Sequence, residues 1–168
     1  FARDDYKGIP GGAALWQTVD SLKRVYPHHL VVTAGDNFGG SYFYYATQGR
    51  LMAPLFRGLG IDLSAVGNHE FDEGQDKLAR RWADGPEGFA PGSFTYVCAN
   101  VRGADGAIPP YLRPYAARSI DVGRGRQVKV GFVGLLTGST PQQVSKSRIK
   151  GLTFDARYTA VLDSVKRL

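Results

Sequence analysis

Apolar positions Leu15, Val19, Leu22 and Tyr26 recur at spacings of four, three and four, the pattern of one apolar face on a helix, and Pro27 stops it. Leu30-Val31-Val32-Thr33-Ala34 follows as a short continuous apolar run ended by Gly35-Asp36. Such a run predicts a strand buried on both faces. A helical stretch is predicted from about Tyr42 to Leu59, then a second short buried strand at Leu63-Ser64-Ala65-Val66, cut off by Gly67-Asn68-His69. Another helix is expected from about Gln75 to Ala83, with a Gly/Pro-rich loop from Gly85 to Gly92 leading onward. Phe94 to Ala99 reads as a third strand. Ala116 to Val122 and Gln127 to Leu135 read as a pair joined by the turn Gly123-Arg124-Gly125. Helical spacing returns at Tyr158, Val161, Val165 and Leu168, with Asp155 as the expected N-cap. Strands alternating with helices imply an α/β fold with a largely parallel core sheet and an antiparallel margin.

Composition agrees with a folded domain. Of 168 residues, 43% are hydrophobic and 21% charged, which supplies a core and excludes general disorder. Apolar stretches such as Gly131 to Leu136, bounded by Lys129 and Thr137, fall far short of the roughly 20 residues a membrane helix needs. No transmembrane segment is expected. Cys98 is the only cysteine, so neither an internal disulfide nor a cysteine-built zinc site is available. The chain opens at Phe1 and its only methionine is Met52, so Phe1 is not expected to be the translational start.

The net charge of +6 is unevenly spread: residues 1–100 hold 9 Lys/Arg and 11 Asp/Glu, residues 101–168 hold 12 and 4. The later basic residues (Arg102, Arg113, Arg118, Arg124, Arg126, Lys129, Lys146, Arg148, Lys150) are scattered. They form no helical stripe with interleaved aromatics, so a solvated surface is expected and nucleic acid is not an expected partner.

In an open α/β sheet, ligands bind beyond the carboxyl ends of the strands. Two strand ends carry unusual polar residues: Gly35-Asp36-Asn37 after the first, and Gly67-Asn68-His69-Glu70-Phe71-Asp72 after the second. If the strands are neighbours, the two tips converge. A carboxylate can bridge two divalent cations, an Asn oxygen is a neutral hard ligand, and a His can coordinate or move a proton. Taken singly, Asp36 and Asn68 also read as ordinary turn residues, His69 as a hydrogen-bonded structural histidine, and Asp72 with Glu73 as helix N-terminal charges. Glu70 reads as structural. His28 and His29 lie before the first strand and read as surface residues. The aromatic cluster Phe38, Tyr42, Phe43, Tyr44 and Tyr45 is expected to pack a helix beside the site rather than to stack on a base.

The same residues resemble the calcineurin-like metallophosphoesterase signature of the 5'-nucleotidase and UDP-sugar hydrolase family. The flanks agree: Gly11-Gly12-Ala13-Ala14, Gly40-Ser41, Ala99-Asn100-Val101, Val130-Gly131-Phe132-Val133-Gly134-Leu135 and Gly151-Leu152-Thr153-Phe154. The resemblance implies a metallophosphatase four-layer α/β/β/α sandwich. It further implies that Asp36 bridges two divalent metal ions (zinc, manganese or similar), that Asn68 binds one of them, and that His69 and Asp72 form the catalytic dyad. A nucleotide substrate and a periplasmic or extracellular location follow from it too. The implied activity is that of a 5'-nucleotidase, with a cyclic-nucleotide phosphodiesterase or nucleotide-sugar diphosphatase as alternatives that share these motifs. A non-catalytic binding domain retaining the fold is the alternative from another class.

The family pattern also requires an early Asp-x-His and a later Gly-His-x-His. Here the residues two before His28, His29 and His69 are Tyr26, Pro27 and Gly67, so Asp36 and Asn68 are the family ligands this chain can offer. Two ligands cannot hold a dinuclear centre. Residues 1–168 are therefore expected to form a single partial metallophosphoesterase domain. The Asp-x-His strand would lie before residue 1 and the His-rich strands after residue 168, and the segment alone would be inactive. Such a segment would leave apolar surface uncovered, to be met by self-association or by the rest of the protein.

Overall fold

The computed structural model describes residues 11–40, 42–47, 49–82 and 94–167. Its helices are α1 (Gly12–Val25), α2 (Tyr42–Thr47), α3 (Met52–Leu59), α4 (Gln75–Trp82), α5 (Thr140–Gln143) and α6 (Tyr158–Lys166). The strands are β1 (Val31–Thr33), β2 (Ile61–Ala65), β3 (Thr95–Val97), β4 (Val101–Arg102), β5 (Tyr115–Asp121), β6 (Gln127–Val133) and β7 (Thr153–Phe154). β1, β2 and β3 form a parallel sheet in that order, β4 pairs antiparallel with β7, and β5 with β6. The α/β architecture with a parallel core and an antiparallel margin is as expected.

Period-two alternation divides the sheet's side chains between two layers. On one face Val31 and Tyr96 join Phe56 and Leu59 of α3 and Leu78 of α4 in the main core. On the other face Leu63 and Val97 meet Ala116 and Phe132 of the β5–β6 hairpin. β2, the central strand, is buried at Ile61, Leu63 and Ser64, as befits a strand paired on both sides.

β1 departs from expectation. Its sequence predicts burial on both faces, yet Val32 is 44% exposed. The cause is position: β1 is the edge of the three-stranded sheet, and the hairpin packs over Leu63 and Val97 but not over Val32. α1 ends before Pro27 as predicted, but its apolar face is likewise open. Leu15, Leu22 and Tyr26 are half-exposed or more, and only Val19 of that stripe packs on the core. Open apolar surface is what the sequence leads one to expect of this segment.

Other boundaries also differ. The single helix expected from Tyr42 to Leu59 is two helices, because the chain turns at Gly49 with φ +75°, a conformation open to glycine at little cost. Asp155 does not cap α6. Its carboxylate accepts the Arg157 N–H at 2.8 Å and pairs with the Arg157 guanidinium, so Arg157 occupies the cap position. The Arg157 side chain holds the Asp155 carboxyl down at about 2. The loop expected from Gly85 to Gly92 lies outside the described residues.

Candidate active site

Because β1 and β2 are parallel neighbours with Thr33 opposite Ser64, their carboxyl ends emerge side by side. The approach there is very close. A Cβ on Gly35 (φ +96°) would stand 2.5 Å from the Gly67 nitrogen, and a Cβ on Gly67 would overlap the Asp36 carboxylate. Both tips therefore need glycine just before the polar residue. Asp36 itself has φ +53°, a left-handed conformation that costs a non-glycine residue on the order of 1–3 kcal/mol and persists where its surroundings enforce it.

Much of that enforcement is Glu70. This side chain is fully buried. Its Oε2 accepts the backbone N–H of Asp36 at 2.8 Å and of Gly67 at 2.6 Å, and its Oε1 accepts the Asn37 N–H at 2.6 Å and the Asn37 side-chain amide at 3.2 Å. Burial pushes the carboxyl above the usual range, and the amide donors pull it back. The Asn37 amide also donates to Ser64 Oγ at 2.8 Å, which in turn accepts from Thr33 Oγ1 at 2.5 Å. A polar network thus runs beneath both tips.

Above it lie the four residues singled out in the sequence. Asp36 is exposed, and its Oδ1 accepts the His69 backbone N–H at 3.1 Å. Asn68 opens the short 3₁₀ turn Asn68–Phe71, and its side-chain amide forms no hydrogen bond among the described residues. His69 Nδ1 stands 2.7 Å from Asp72 Oδ2, three residues on. That hydrogen bond raises the His69 pKa above its ordinary value, against a smaller opposing effect of desolvation. With Nδ1 engaged, Nε2 is the ring nitrogen left for a ligand or a proton. Asp36, His69 and Asp72 are thus joined by hydrogen bonds, with Asn68 next to His69 at the start of the same turn.

As metal donors, the Asp36 carboxylate and the Asn68 amide oxygen are hard ligands suited to a divalent cation. They fit such an ion but do not complete its shell. Among the described residues no group of three or more His, Cys, Asp and Glu side chains is disposed to hold a metal. His28 and His29 are exposed and away from the tips, His29 bonding the Tyr26 carbonyl at 2.6 Å. In the aromatic cluster Phe38 and Tyr44 are buried as expected, but Tyr42 and Tyr45 are 84% and 60% exposed. A cleft of about 720 Å³ lies elsewhere, between α1 and α3, lined by Trp16, Leu51, Met52 and Leu55; it is apolar and without convergent polar groups. The reach of Glu70 to amides 33 and 34 residues earlier leaves no trace in residue spacing. The one available signal is a carboxylate set immediately before a core phenylalanine.

No family model matches the chain. Endonuclease YhcR of Bacillus subtilis (strain 168) is 34% identical over 174 residues, covering 100% of this chain and 13% of that protein. The 5'-nucleotidase of Bos taurus is 29% identical over 164 residues, covering 95% of this chain and 26% of that protein. Among solved structures, the 5'-nucleotidase precursor from Thermus thermophilus superposes with a TM-score of 0.74 at 24% identity, over 95% of this chain and 29% of that chain. The fold is that of the calcineurin-like metallophosphoesterases. In sequence the chain is similar to 5'-nucleotidases as well as to that endonuclease. It spans about a quarter or less of the length of these relatives. Among the described residues no helix is long and apolar enough to cross a membrane.

Proposed function

We propose that the full-length protein containing this chain is a divalent-metal-dependent phosphoester hydrolase, a 5'-nucleotidase releasing phosphate from nucleoside monophosphates. The observation that carries this reading is the convergence of Asp36, Asn68 and the His69–Asp72 pair on the adjoining tips of β1 and β2, in a homologue of the 5'-nucleotidases. Asp36 would bridge two ions, zinc, manganese or similar, and Asn68 would ligate one. The chain forms part of a single catalytic domain, with the remaining ligands supplied by an Asp-x-His strand before residue 1 and His-rich strands after residue 168. Bound, the ions supply water activation and charge neutralisation at the phosphate. His69 donates a proton from Nε2 to the leaving oxygen, which would otherwise depart as an alkoxide of high proton affinity. Asp72 fixes the ring through Nδ1 and favours the protonated imidazole. An exported location, periplasmic or extracellular, accompanies this reading by family resemblance.

The test is phosphate release from AMP by the full-length protein with added divalent metal. His69→Ala is expected to lower turnover by about 10²–10⁴-fold; unchanged turnover refutes the dyad. A phosphodiester substrate is the second reading, favoured by the relative named as an endonuclease that matches along the whole chain. Faster turnover of a phosphodiester than of AMP by the same preparation would select it. A binding domain without catalysis is disfavoured by the His69–Asp72 pair, which neither β2 nor its turn requires.

A further inference from the structure

We infer that Glu70 is a positioning residue for the metal site: its buried carboxylate holds the two ligand-bearing strand tips at one fixed separation and keeps Asp36 in its left-handed conformation. The inference rests on the proposed metal roles of Asp36 and Asn68. The successive backbone N–H groups of Asp36 and Asn37 both donate to one carboxylate, as converging amides do where they bind an anion. Here the anion is internal. Oε2 bridges the Asp36 and Gly67 amides, one from each tip, while Oε1 takes both donors of Asn37. One carboxylate therefore joins the residue before Asn68 to Asp36 itself. With the backbone amides drawn down to Glu70, the Asp36 side chain is exposed on the opposite side, where its Oδ1 meets the His69 N–H. The ligand geometry is thus set by a group that holds Asp36 through its backbone amide and leaves its carboxylate free of that contact.

Glutamine in this place keeps the volume but presents an NH₂ group to backbone donors, so either the Asn37 donors or the Asp36–Gly67 pair lose their acceptor. Aspartate keeps the charge but shortens the reach by one methylene. The experiment is Mn²⁺ binding to the metal-free full-length protein, free Mn²⁺ being read by electron paramagnetic resonance, for wild type, Glu70→Asp, Glu70→Gln and the core variant Leu78→Ala. Affinity is expected to fall in the order wild type, Glu70→Asp, Glu70→Gln, the last by about 10–100-fold. Leu78→Ala is expected to lower the melting temperature while binding Mn²⁺ as wild type does, which separates positioning from general destabilisation. Glu70→Gln binding within about twofold of wild type overturns the inference. If Glu70→Gln does not fold, Glu70→Asp decides: several-fold weaker binding supports positioning, and wild-type affinity overturns it. A wild-type protein that binds no Mn²⁺ overturns the metal reading itself and this inference with it.

Discussion

His69 Nδ1 and Asp72 Oδ2 are 2.7 Å apart across a single 3₁₀ turn, so the carboxylate that orients the imidazole is supplied by the same local segment. The pair's effect on protonation has a definite sign. Asp72 raises the folded pKa of His69, so the stability it contributes is fully present below the ordinary value of 6.5 and is lost as pH rises through the raised one. In the metal-free protein, an NMR titration of the His69 ring is expected to give a midpoint above 6.5, and Asp72→Asn to lower it. A midpoint unmoved by Asp72→Asn would remove the orienting role.

Gly67→Ala places a methyl group where the Asp36 carboxylate stands. The strand tips must part or Asp36 must swing away, at a cost of about 1–3 kcal/mol by the usual penalty for overpacking. Both a lower urea midpoint and a sharp loss of metal-dependent phosphate release are expected. Gly12→Ala, with nothing near its Cβ, serves as the control and should lower neither.

Asn100 is fully buried, and its amide donates to the carbonyls of Leu136 at 2.7 Å and Asp155 at 2.9 Å while its oxygen accepts the Leu136 N–H at 2.8 Å. It bolts the segments after β3, after β6 and before α6 together. Asn100→Ala is expected to destabilise by about 1–3 kcal/mol for each partner left buried and unsatisfied. Chemical denaturation measures this directly, and a change below about 0.5 kcal/mol, typical of unconstrained surface sites, would show that water replaces the side chain at no cost.

Cys98 is fully buried, and burial pushes its thiol up to about 11. The thiolate is the reactive form, so at mildly alkaline pH a disulfide reagent is expected to label Cys98 only as fast as the protein opens. Rapid labelling of the native protein would contradict its burial. The raised folded pKa also means that this group's share of stability is complete below about 9 and declines as pH climbs toward about 11.

The strand tips are legible in the sequence because an apolar run that stops abruptly at Gly-Asp or Gly-Asn-His is a local pattern, and parallel pairing of β1 and β2 then brings the residues together. The position of Asp72 relative to His69 is legible for the same reason. Glu70 reads as structural but without a partner, since three of its four acceptor contacts are to backbone amides whose sequence identity is immaterial. Val32 misleads because its burial depends on what packs over the edge strand, while its residue type reads the same in either case. β4 and β7 are two residues each, too short for any periodicity to register. A lone Gly49 inside a helical pattern does not by itself announce the break between α2 and α3.

The β5–β6 hairpin joins seven consecutive residue pairs through a turn at residues 122–126, whereas β1, β2 and β3 must each find a partner across tens of residues. Closing short loops is entropically cheap and fast, and hairpins form in about 1–10 μs. The hairpin can therefore be in place before the parallel sheet is assembled, offering Ala116 and Phe132 as a ready surface on which Leu63 and Val97 dock. The order of assembly would then run opposite to the order of the chain: the margin first, and the strands that carry the chemistry last.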